Sequence, residues 1–582
     1  MKITAVLLGF LLISPILCWL FPDDGISKVQ ETWFTLCLTG LCFYSCFLKK
    51  ASLRISVTEW LLLLGLGWYV LALLPQKTTD VWLYQTRHIV LMVLLYLQVR
   101  LCLTMPGDFL KPVITIGFTF LAVLLTSAGM IAAAGHLFYS RTLSPAAITP
   151  FGNSGLYAVL MTLLLPYCVY LVWHTRRSPM WRWVLVPGLS VITVTVLLLE
   201  SRTAWIILSV QICILLIYSL QKRWYRWLVA AMPILALLAM KLAFPGFKIG
   251  SAKGRTLIYE ITGNILHDHW PGGIGLNQFK AHFLYYQADY LSRNSAGAIY
   301  AADIHYAFNE YLQLMCEAGI VPVLLLLASL ITLLFRFHKT PPVMHPLLLT
   351  ASVSICSFGI ASLFSYPLHE FSCSLVLTIS SALFFHSIRP DTAGQPPGSF
   401  GWKLACICAI IPWTISTWNS YRLGAGWKKA DFAMQAGQFK NALPAYSLLY
   451  THLRTQDKFL YDYGRCAFEM QEYVLASNLL EELSKRLATT DVLCLRGLSL
   501  QHSGHKQAAT QLFLTAHNAV PLKLWPQYLL MQHFFEVDNM EGARRWASKL
   551  LATPVKMHSE QTAHMKAAAF RIISLSATKL CL

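Results

Sequence analysis

Charged residues are scarce in this sequence. Asp, Glu, Lys and Arg make up 13% of its 582 residues, whereas a soluble domain contains about 25%. The mean hydropathy is +0.54, so a single soluble globular fold is excluded and a protein that crosses the membrane many times is favoured. Residues 1–420 contain 15 acidic and 27 basic residues, and residues 421–582 contain 12 and 19. The second region is typical of a soluble appendage.

Signals of secretion and of disulfide bonding are also missing. No small-x-small cleavage site follows the first apolar stretch, so we interpret this stretch as a membrane span and not as a removable signal. Twelve of the 15 cysteines lie within or beside apolar stretches, where Cys packs as a small apolar residue. The C-terminal region has an odd number of cysteines, Cys466, Cys494 and Cys581, which does not indicate a disulfide framework.

Long apolar stretches dominate the first 420 residues. A span takes about 20 mostly apolar residues, and thirteen stretches qualify, near 3–20, 30–48, 56–74, 88–105, 112–134, 155–173, 183–200, 203–220, 227–245, 317–335, 345–366, 369–387 and 402–419. With the N-terminus in the cytoplasm, the cytoplasmic loops contain sixteen Lys and Arg and the opposite short loops contain five. The long loop, residues 246–316, and the C-terminal region then lie outside the cytoplasm. The net charge of +19 is explained by this topology and does not indicate nucleic-acid binding.

The C-terminal region contains a repeat. Ala442, Ala476, Ala509 and Ala543 recur at intervals of 34, 33 and 34 residues, a period typical of stacked helix–turn–helix units. Tetratricopeptide repeats carry Gly, Ala, Phe, Ala and Pro at fixed positions. The third unit matches them with Gly497, Ala509, Phe513, Ala516 and Pro521. We therefore predict an all-α protein with two domains: a polytopic membrane bundle, residues 1–420, and a soluble α-solenoid of about four tetratricopeptide-like repeats, residues 421–582. The repeats bind a protein partner or serve in packing or dimerisation.

Polar residues at membrane depth are candidates for function. Arg202 lies between two apolar runs with almost no loop, so we expect it at the outer membrane edge. A guanidinium there can bind a phosphate group through two hydrogen bonds. The alternative is an interfacial arginine that is paired with Glu200.

The long loop contains the other candidates. Gly254-Arg255 opens an apolar-periodic stretch that predicts an amphipathic helix on the membrane surface. A turn with three glycines, Gly272, Gly273 and Gly275, follows it. If the chain leading into the tenth span is helical, His305 and Asn309 share one face. His267 and His269 are a weak metal pattern without a third ligand, so we expect a turn-capping or interfacial role and predict no metal site.

Five segments, in this order, resemble the O-antigen ligase superfamily, which includes lipopolysaccharide O-antigen ligases, O-antigen polymerases and bacterial protein O-oligosaccharyltransferases. They are PFGNSGLYA at 150–158, SRTAW at 201–205, GRTLIYEITGNILHDHWPGGIGLNQF at 254–279, HYAFNEYLQLMCEAGI at 305–320 and FSYPL at 364–368. The resemblance covers residues 1–420. It implies a multi-pass enzyme of the bacterial inner membrane that needs no metal or cofactor. Such an enzyme passes a glycan from an undecaprenyl-diphosphate carrier to an acceptor hydroxyl at the periplasmic face.

The resemblance also implies site residues. Arg202 and Arg255 match arginines thought to hold the donor diphosphate, and His305 lies where a histidine is thought to assist acceptor attack. Members often have His directly before the Asn of the NEYL-like motif, where this chain has Phe308, so Glu310 is the alternative base. The supporting residues Asn153 and Asn309 are expected beside them.

The acceptor stays open at this point. A lipid A core sugar is the leading acceptor, and a protein hydroxyl or a growing glycan is the alternative. A transporter of lipid-linked glycan is disfavoured because the sequence shows no inverted repeat or interrupted spans. The last alternative is a scaffold protein that functions only through its repeats. It is ranked lowest because it does not explain why Arg202 lies between two apolar runs.

Overall fold

The structure, a computed structural model, describes residues 2–20, 29–48, 53, 55–71, 79–105, 109–140, 149, 153–175, 179–219, 249–339, 345–388, 400–555 and 559–580. All regular elements in these residues are helices, and no strand occurs among them. The predicted all-α class is therefore confirmed.

The chain forms two compact units. Unit 1 comprises residues 1–247, 308–311 and 321–424, and unit 2 comprises residues 248–307, 312–320 and 425–582. The start of the last segment is close to the predicted boundary near 420. The units differ from the predicted domains in one respect, because most of the long loop folds with the C-terminal helices. Leu284 and Ala288 of the loop share a buried core with these helices.

Unit 1 is a bundle of apolar helices. They are α1 (Lys2–Leu12), α2 (Ser14–Leu20), α3 (Val29–Ser45), α4 (Val57–Leu71), α5 (Thr79–Leu103), α6 (Leu110–Ser140), α7 (Ser154–His174), α8 (Pro179–Leu198), α9 (Arg202–Ser219), and, after the loop, α13 (Ile320–Lys339), α14 (Pro346–Phe364), α15 (Phe371–Ile388) and the first part of α16 (Phe400–Gln435). A 3₁₀ helix, Pro367–His369, joins α14 to α15.

The centre of unit 1 is α7. This helix is apolar on all sides, and residues 156–168 are buried throughout, as expected for a helix that is surrounded by others. It packs against α6, α8, α9, α14 and α15. Polar side chains tie α7 to its neighbours: the Ser354 hydroxyl donates to the Leu163 carbonyl at 3.0 Å, and the Tyr167 and Ser380 hydroxyls lie 2.7 Å apart.

Among the described residues, six helices are long and apolar enough to cross a membrane: Thr86–Leu103, Leu110–Phe138, Ser154–His174, Ile320–His338, Pro346–Phe364 and Phe371–Ile388. Four shorter apolar helices coincide with predicted spans, namely Ile3–Leu17, Val57–Leu71, Leu185–Leu198 and Arg202–Tyr218. The predicted spans near 30–48 and 402–419 are helical in α3 and α16 but belong to neither group. The span near 227–245 lies outside the described residues. A multi-pass membrane protein is supported, and the total of thirteen spans stays a prediction.

Unit 2 begins with the long loop. It contains α10 (Ile249–Asp268), α11 (Phe279–Arg293), a 3₁₀ helix (Ser295–Tyr300) and α12 (Glu310–Ala318), of which residues 312–318 belong to this unit. The C-terminal helices are α17 (Phe439–Leu453), α18 (Asp457–Glu469), α19 (Tyr473–Ser484), α20 (Thr490–His502), α21 (Lys506–Ala519), α22 (Leu524–Glu536), α23 (Met540–Ala552) and α24 (Glu560–Leu580).

The periodic alanines lie in alternate C-terminal helices. Ala442, Ala476, Ala509 and Ala543 belong to α17, α19, α21 and α23, and each is fully buried. At Gly497 in α20, a Cβ atom would lie 2.5 Å from the Phe513 ring in α21, so the helices approach closely where the pattern requires small residues. Consecutive helices pack in pairs. The tetratricopeptide assignment itself stays a prediction.

Candidate active site

Two of the segments that resemble the family, 150–158 and 364–368, contact each other at one end of unit 1. Asn153 caps α7: its side-chain oxygen accepts hydrogen bonds from the backbone N–H groups of Gly155 at 3.0 Å and Leu156 at 3.2 Å. Its amide nitrogen donates to the Tyr366 hydroxyl at 2.8 Å. Since α14 runs antiparallel to α7, the residues that follow α14 reach Asn153, directly before α7. Both the oxygen and the nitrogen of the Asn153 side-chain amide are therefore hydrogen-bonded. The side chain is held in one orientation, which suits a supporting role.

A third segment joins this end of the bundle. The Phe308 ring meets the Tyr366 ring edge to face at 5.2 Å. Glu310 is buried, and one of its carboxylate oxygens accepts a hydrogen bond from the Leu368 N–H at 2.6 Å. The other oxygen lies 3.4 Å from Nδ1 of His369. Glu310 thus holds the turn after α14, and Asn309, half-buried, lies between these two anchored residues.

Arg202 is the first residue of α9 and is half-buried. Glu200 has a φ of 49°, in the left-handed region, and the Ser201 hydroxyl accepts a hydrogen bond from the Ala204 N–H at 3.4 Å. The chain therefore turns from α8 into α9 within three residues. The prediction of almost no loop at Arg202 is confirmed.

The helix order places Arg202 at the same end of unit 1 as Asn153. Short connections join α7 to α8 and α8 to α9, so α7 and α9 run parallel. Gln211 of α9 links them midway, because its amide donates to the Thr162 carbonyl at 2.7 Å and to the Ser357 hydroxyl at 2.8 Å. Thr162 and Gln211 lie about equally far along their helices. Arg202 begins α9 and Asn153 directly precedes α7. The two residues therefore lie at about the same height along these parallel helices.

In unit 2, Arg255 lies on α10. It is half-buried and close enough to Tyr259 to influence the titration of that phenol. The apolar face of α10 is buried: Leu257, Ile258 and Ile261 are each at most 6% exposed. This helix packs against α11 and the following 3₁₀ helix. The predicted helix is confirmed, but protein covers its apolar face, and its placement on a membrane surface stays a prediction.

Two glycines join the ends of the long loop. A Cβ atom at Gly319, where φ is +75°, would lie 2.1 Å from the Pro271 carbonyl oxygen, and one at Gly273, where φ is +81°, would lie 2.7 Å from the Glu317 carbonyl oxygen. The Ile320 N–H donates to the Pro271 carbonyl at 3.1 Å, which closes the joint. The predicted glycine turn therefore packs directly on the chain between α12 and α13. Gly319 also separates these two helices, so the predicted span near 317–335 begins at Ile320.

His305 lies in a non-helical segment. Residues 301–309 are not helical, and α12 begins only at Glu310. The helical approach to the tenth span, on which a shared face of His305 and Asn309 depended, is therefore absent. The physical reason is Phe308, whose φ of 52° is left-handed and interrupts a helix. Burial lowers the pKa of His305 and the nearby Lys280 ammonium lowers it further, while Asp303 and Asp457 act in the opposite direction with less effect.

The histidines at the end of α10 form a polar cluster. His267 and Asp268 are exposed and 3.2 Å apart, and the Tyr286 hydroxyl lies 3.0 Å from Asp268 and 3.3 Å from His269. In the part of the chain that the structure describes, no group of three His, Cys, Asp or Glu side chains could hold a metal ion.

Three contact residues were not predicted from the sequence. Tyr366 lies within the FSYPL segment, His369 follows that segment, and Lys280 directly follows the LNQF motif. Each adjoins a matched segment, which is the signal that could have found them. Their partners lie far away in the chain, and a single sequence does not show such pairs.

These features define a multi-pass, all-helical membrane protein in which Asn153, Glu310 and Tyr366 lie together at one end of unit 1. The family model described as O-antigen ligase matches residues 187–327. The match confirms the resemblance to the O-antigen ligase superfamily and includes Arg202, Arg255, His305 and Glu310. No curated protein matches the chain in sequence.

Proposed function

We propose that this protein is a glycosyltransferase of the bacterial inner membrane that transfers a glycan from undecaprenyl diphosphate to an acceptor hydroxyl at the periplasmic face. The observation that carries the proposal is the position of Arg202 at the start of α9, at the same end of unit 1 as Asn153. Arg202 also lies within the segment that matches the O-antigen ligase family model. A permanent cation at a helix end near the membrane edge suits a lipid diphosphate. The reaction proposed here uses no metal or cofactor.

The proposed reaction is a displacement at the anomeric carbon. The acceptor oxygen forms a bond to this carbon while the bond to the diphosphate oxygen breaks, and the diphosphate leaves with the electron pair. Arg202 and Arg255 are the proposed ligands of the diphosphate, since fixed cations stabilise the charge that develops on the leaving group. The proton of the acceptor hydroxyl passes to a neutral ring nitrogen of His305.

Glu310 is less suited to the role of base than the sequence suggested. Its carboxylate is buried, one oxygen accepts the Leu368 N–H and the other faces His369. We propose that Glu310 positions the turn that contains Tyr366, which bonds Asn153. His305 stays the proposed base.

The rate of transfer should depend on pH through His305. Because burial and Lys280 lower the pKa of this imidazole below its ordinary value of 6.5, the neutral form persists to lower pH. We expect kcat/KM to be flat through neutral pH and to fall only below about pH 6.5. The measurement is a pH profile of transfer by the full protein. Replacement of Lys280 by Met removes a positive charge that lowers the pKa of His305, so the fall in kcat/KM on the acid side should begin at higher pH. If the pH of this fall did not change, the result would argue against His305 as the base.

The leading acceptor that we propose is a lipid A core sugar, and the description of the matching family model as O-antigen ligase supports it. A protein Ser or Thr is the second candidate. The loop that contains His305 shares a hydrophobic core with the C-terminal helices, so a helical array adjoins the proposed base. An array in this place favours a macromolecular acceptor.

A strain comparison tests the function and separates the acceptors. Deletion of the gene should shorten the lipopolysaccharide ladder if the acceptor is the lipid A core. A changed ladder length would indicate a polymerase, and lost glycoprotein staining would indicate a protein acceptor. Unchanged ladders and glycoproteins in a strain that makes the lipid-linked glycan would contradict the proposal.

A further inference from the structure

Equivalent positions in three successive helical repeats contact the long loop. Asp457, Thr490 and Lys523 are separated by 33 and 33 residues, close to the alanine period. Asp457 and Thr490 are the first residues of α18 and α20, and Lys523 directly precedes α22. We call these three residues the turn row. They lie on the edge of the array where one repeat leads into the next.

Each member of the turn row bonds a charged residue of the loop. Lys280 lies 2.5 Å from the Asp457 carboxylate. Asp303 accepts hydrogen bonds from the Thr490 N–H at 2.7 Å, from the Thr490 hydroxyl at 2.8 Å and from the Lys523 ammonium at 3.1 Å. Although burial alone would lower the pKa of Lys523, Asp303 and Asp491 raise it. These charges are partly shielded from water, where ion pairs are stronger than on an open surface.

Apolar packing and backbone bonds strengthen the same contact. Leu284 and Ala288 on α11 are 1% and 6% exposed, because they lie in the core formed by α20 to α24. The Gln287 amide donates to the Ala519 carbonyl at 2.7 Å, and the Ala488 N–H donates to the Lys280 carbonyl at 3.0 Å. The edge of the array is thus occupied by the chain's own loop.

The turn row is connected to the segment that contains the proposed base. Asp303 is two residues before His305, and the charged groups that influence the imidazole are Lys280, Asp303 and Asp457. Each of these three groups either belongs to the turn row or bonds to it. A displacement of residues 301–307 would therefore move the imidazole and change its charged surroundings together.

We propose that the turn row is a positioning platform for residues 301–307, so that the C-terminal repeats are an integral part of the site that activates the acceptor. Asp303 and the turn row are positioning residues, since they act through His305. The proposal rests on the proposed function for the role of His305, whereas the ordering of residues 301–307 by the repeats does not depend on it.

The test compares Lys523→Met, Asp303→Asn and the double variant in the full-length protein. Two quantities are measured: hydrogen exchange of the backbone amides in residues 301–307, and the kcat and KM for acceptor transfer. We expect exchange to become faster by about tenfold in each single variant, because a charged hydrogen bond is lost. We expect kcat to fall by about 10- to 100-fold with a smaller change in KM, as misplacement of a catalytic group produces. The double variant should be little worse than either single variant.

Lys566→Met is the matched control. Lys566 is also a half-buried lysine of the array, and its ammonium donates to the Leu551 and Thr553 carbonyls at 3.1 and 3.0 Å, away from the loop. It should leave exchange at 301–307 and transfer unchanged. Asp303→Asn keeps an oxygen that can accept from Thr490, so it should retain more activity than Asp303→Ala.

The outcomes separate the two proposals. Unchanged exchange at 301–307 in both single variants would overturn the platform. Faster exchange with normal kcat would show that the platform is not part of the site, which also overturns the inference. Wild-type protein that transfers glycan to no acceptor would overturn the proposed function, and with it the role in acceptor activation, while exchange would still decide whether the repeats order the segment.

Discussion

Replacement of Arg202 by alanine should lower kcat/KM for glycan transfer by at least about 100-fold. The guanidinium at the first turn of α9 is proposed to bind the donor diphosphate, and loss of one fixed group that stabilises a leaving anion costs about 100- to 1,000-fold in rate. Arg202→Lys should retain part of the activity, because a lysine keeps the charge but loses the two parallel hydrogen bonds. Transfer from a radiolabelled lipid-linked glycan by purified protein measures the effect.

The control for Arg202 is Arg422→Ala. Arg422 is an exposed arginine on α16, also in unit 1, so its loss removes one positive charge without touching the proposed site. Both variants should be compared at equal amounts of folded protein in the membrane. Full activity of Arg202→Ala would remove Arg202 from the donor site.

The second large effect is expected at Gly319. A Cβ atom there would lie 2.1 Å from a backbone oxygen, and the φ of +75° is strained for an alanine. Backbone strain together with a steric clash should cost about 2–4 kcal/mol. Because the neighbouring oxygen belongs to the backbone of Pro271, it cannot move aside as a flexible side chain would. We expect Gly319→Ala to lower the Tm in detergent and to abolish most transfer.

Gly272→Ala provides a matched control on the facing chain. No atom lies within 4 Å of a Cβ built at Gly272, so this variant should change stability by less than about 0.5 kcal/mol. Equal Tm values for the two variants would show that the joint between the two ends of the loop is not as close as the structure indicates.

Hydrophobic pattern and period predicted the helices well. Every predicted span in the described part of the chain is mostly helical, although the one near 3–20 is divided between α1 and α2. The periodic alanines are buried. Both signals depend on residues close together in the chain, which a single sequence shows directly. The glycine turn was likewise predicted, since glycine accommodates the positive φ of Gly273 and Gly275.

The sequence left the structure open where distant residues decide it. The left-handed φ of Phe308 has no local signal, so the sequence left open whether the segment with His305 is helical. The apolar face of α10 has the same pattern whether lipid or protein covers it, and only the structure shows that α11 covers it. The turn row pairs with residues more than 170 positions earlier in the chain, a distance over which periodicity gives no information.

The most direct test of the account is transfer by the purified full-length protein in proteoliposomes. The donor is undecaprenyl-diphosphate-linked glycan, and the acceptors, offered separately, are lipid A core and a Ser/Thr-containing protein. The account predicts glycan on one acceptor together with an equal amount of released undecaprenyl diphosphate, both lost in Arg202→Ala. Movement of the lipid-linked glycan across the bilayer without any transfer product would contradict the account and identify a transporter.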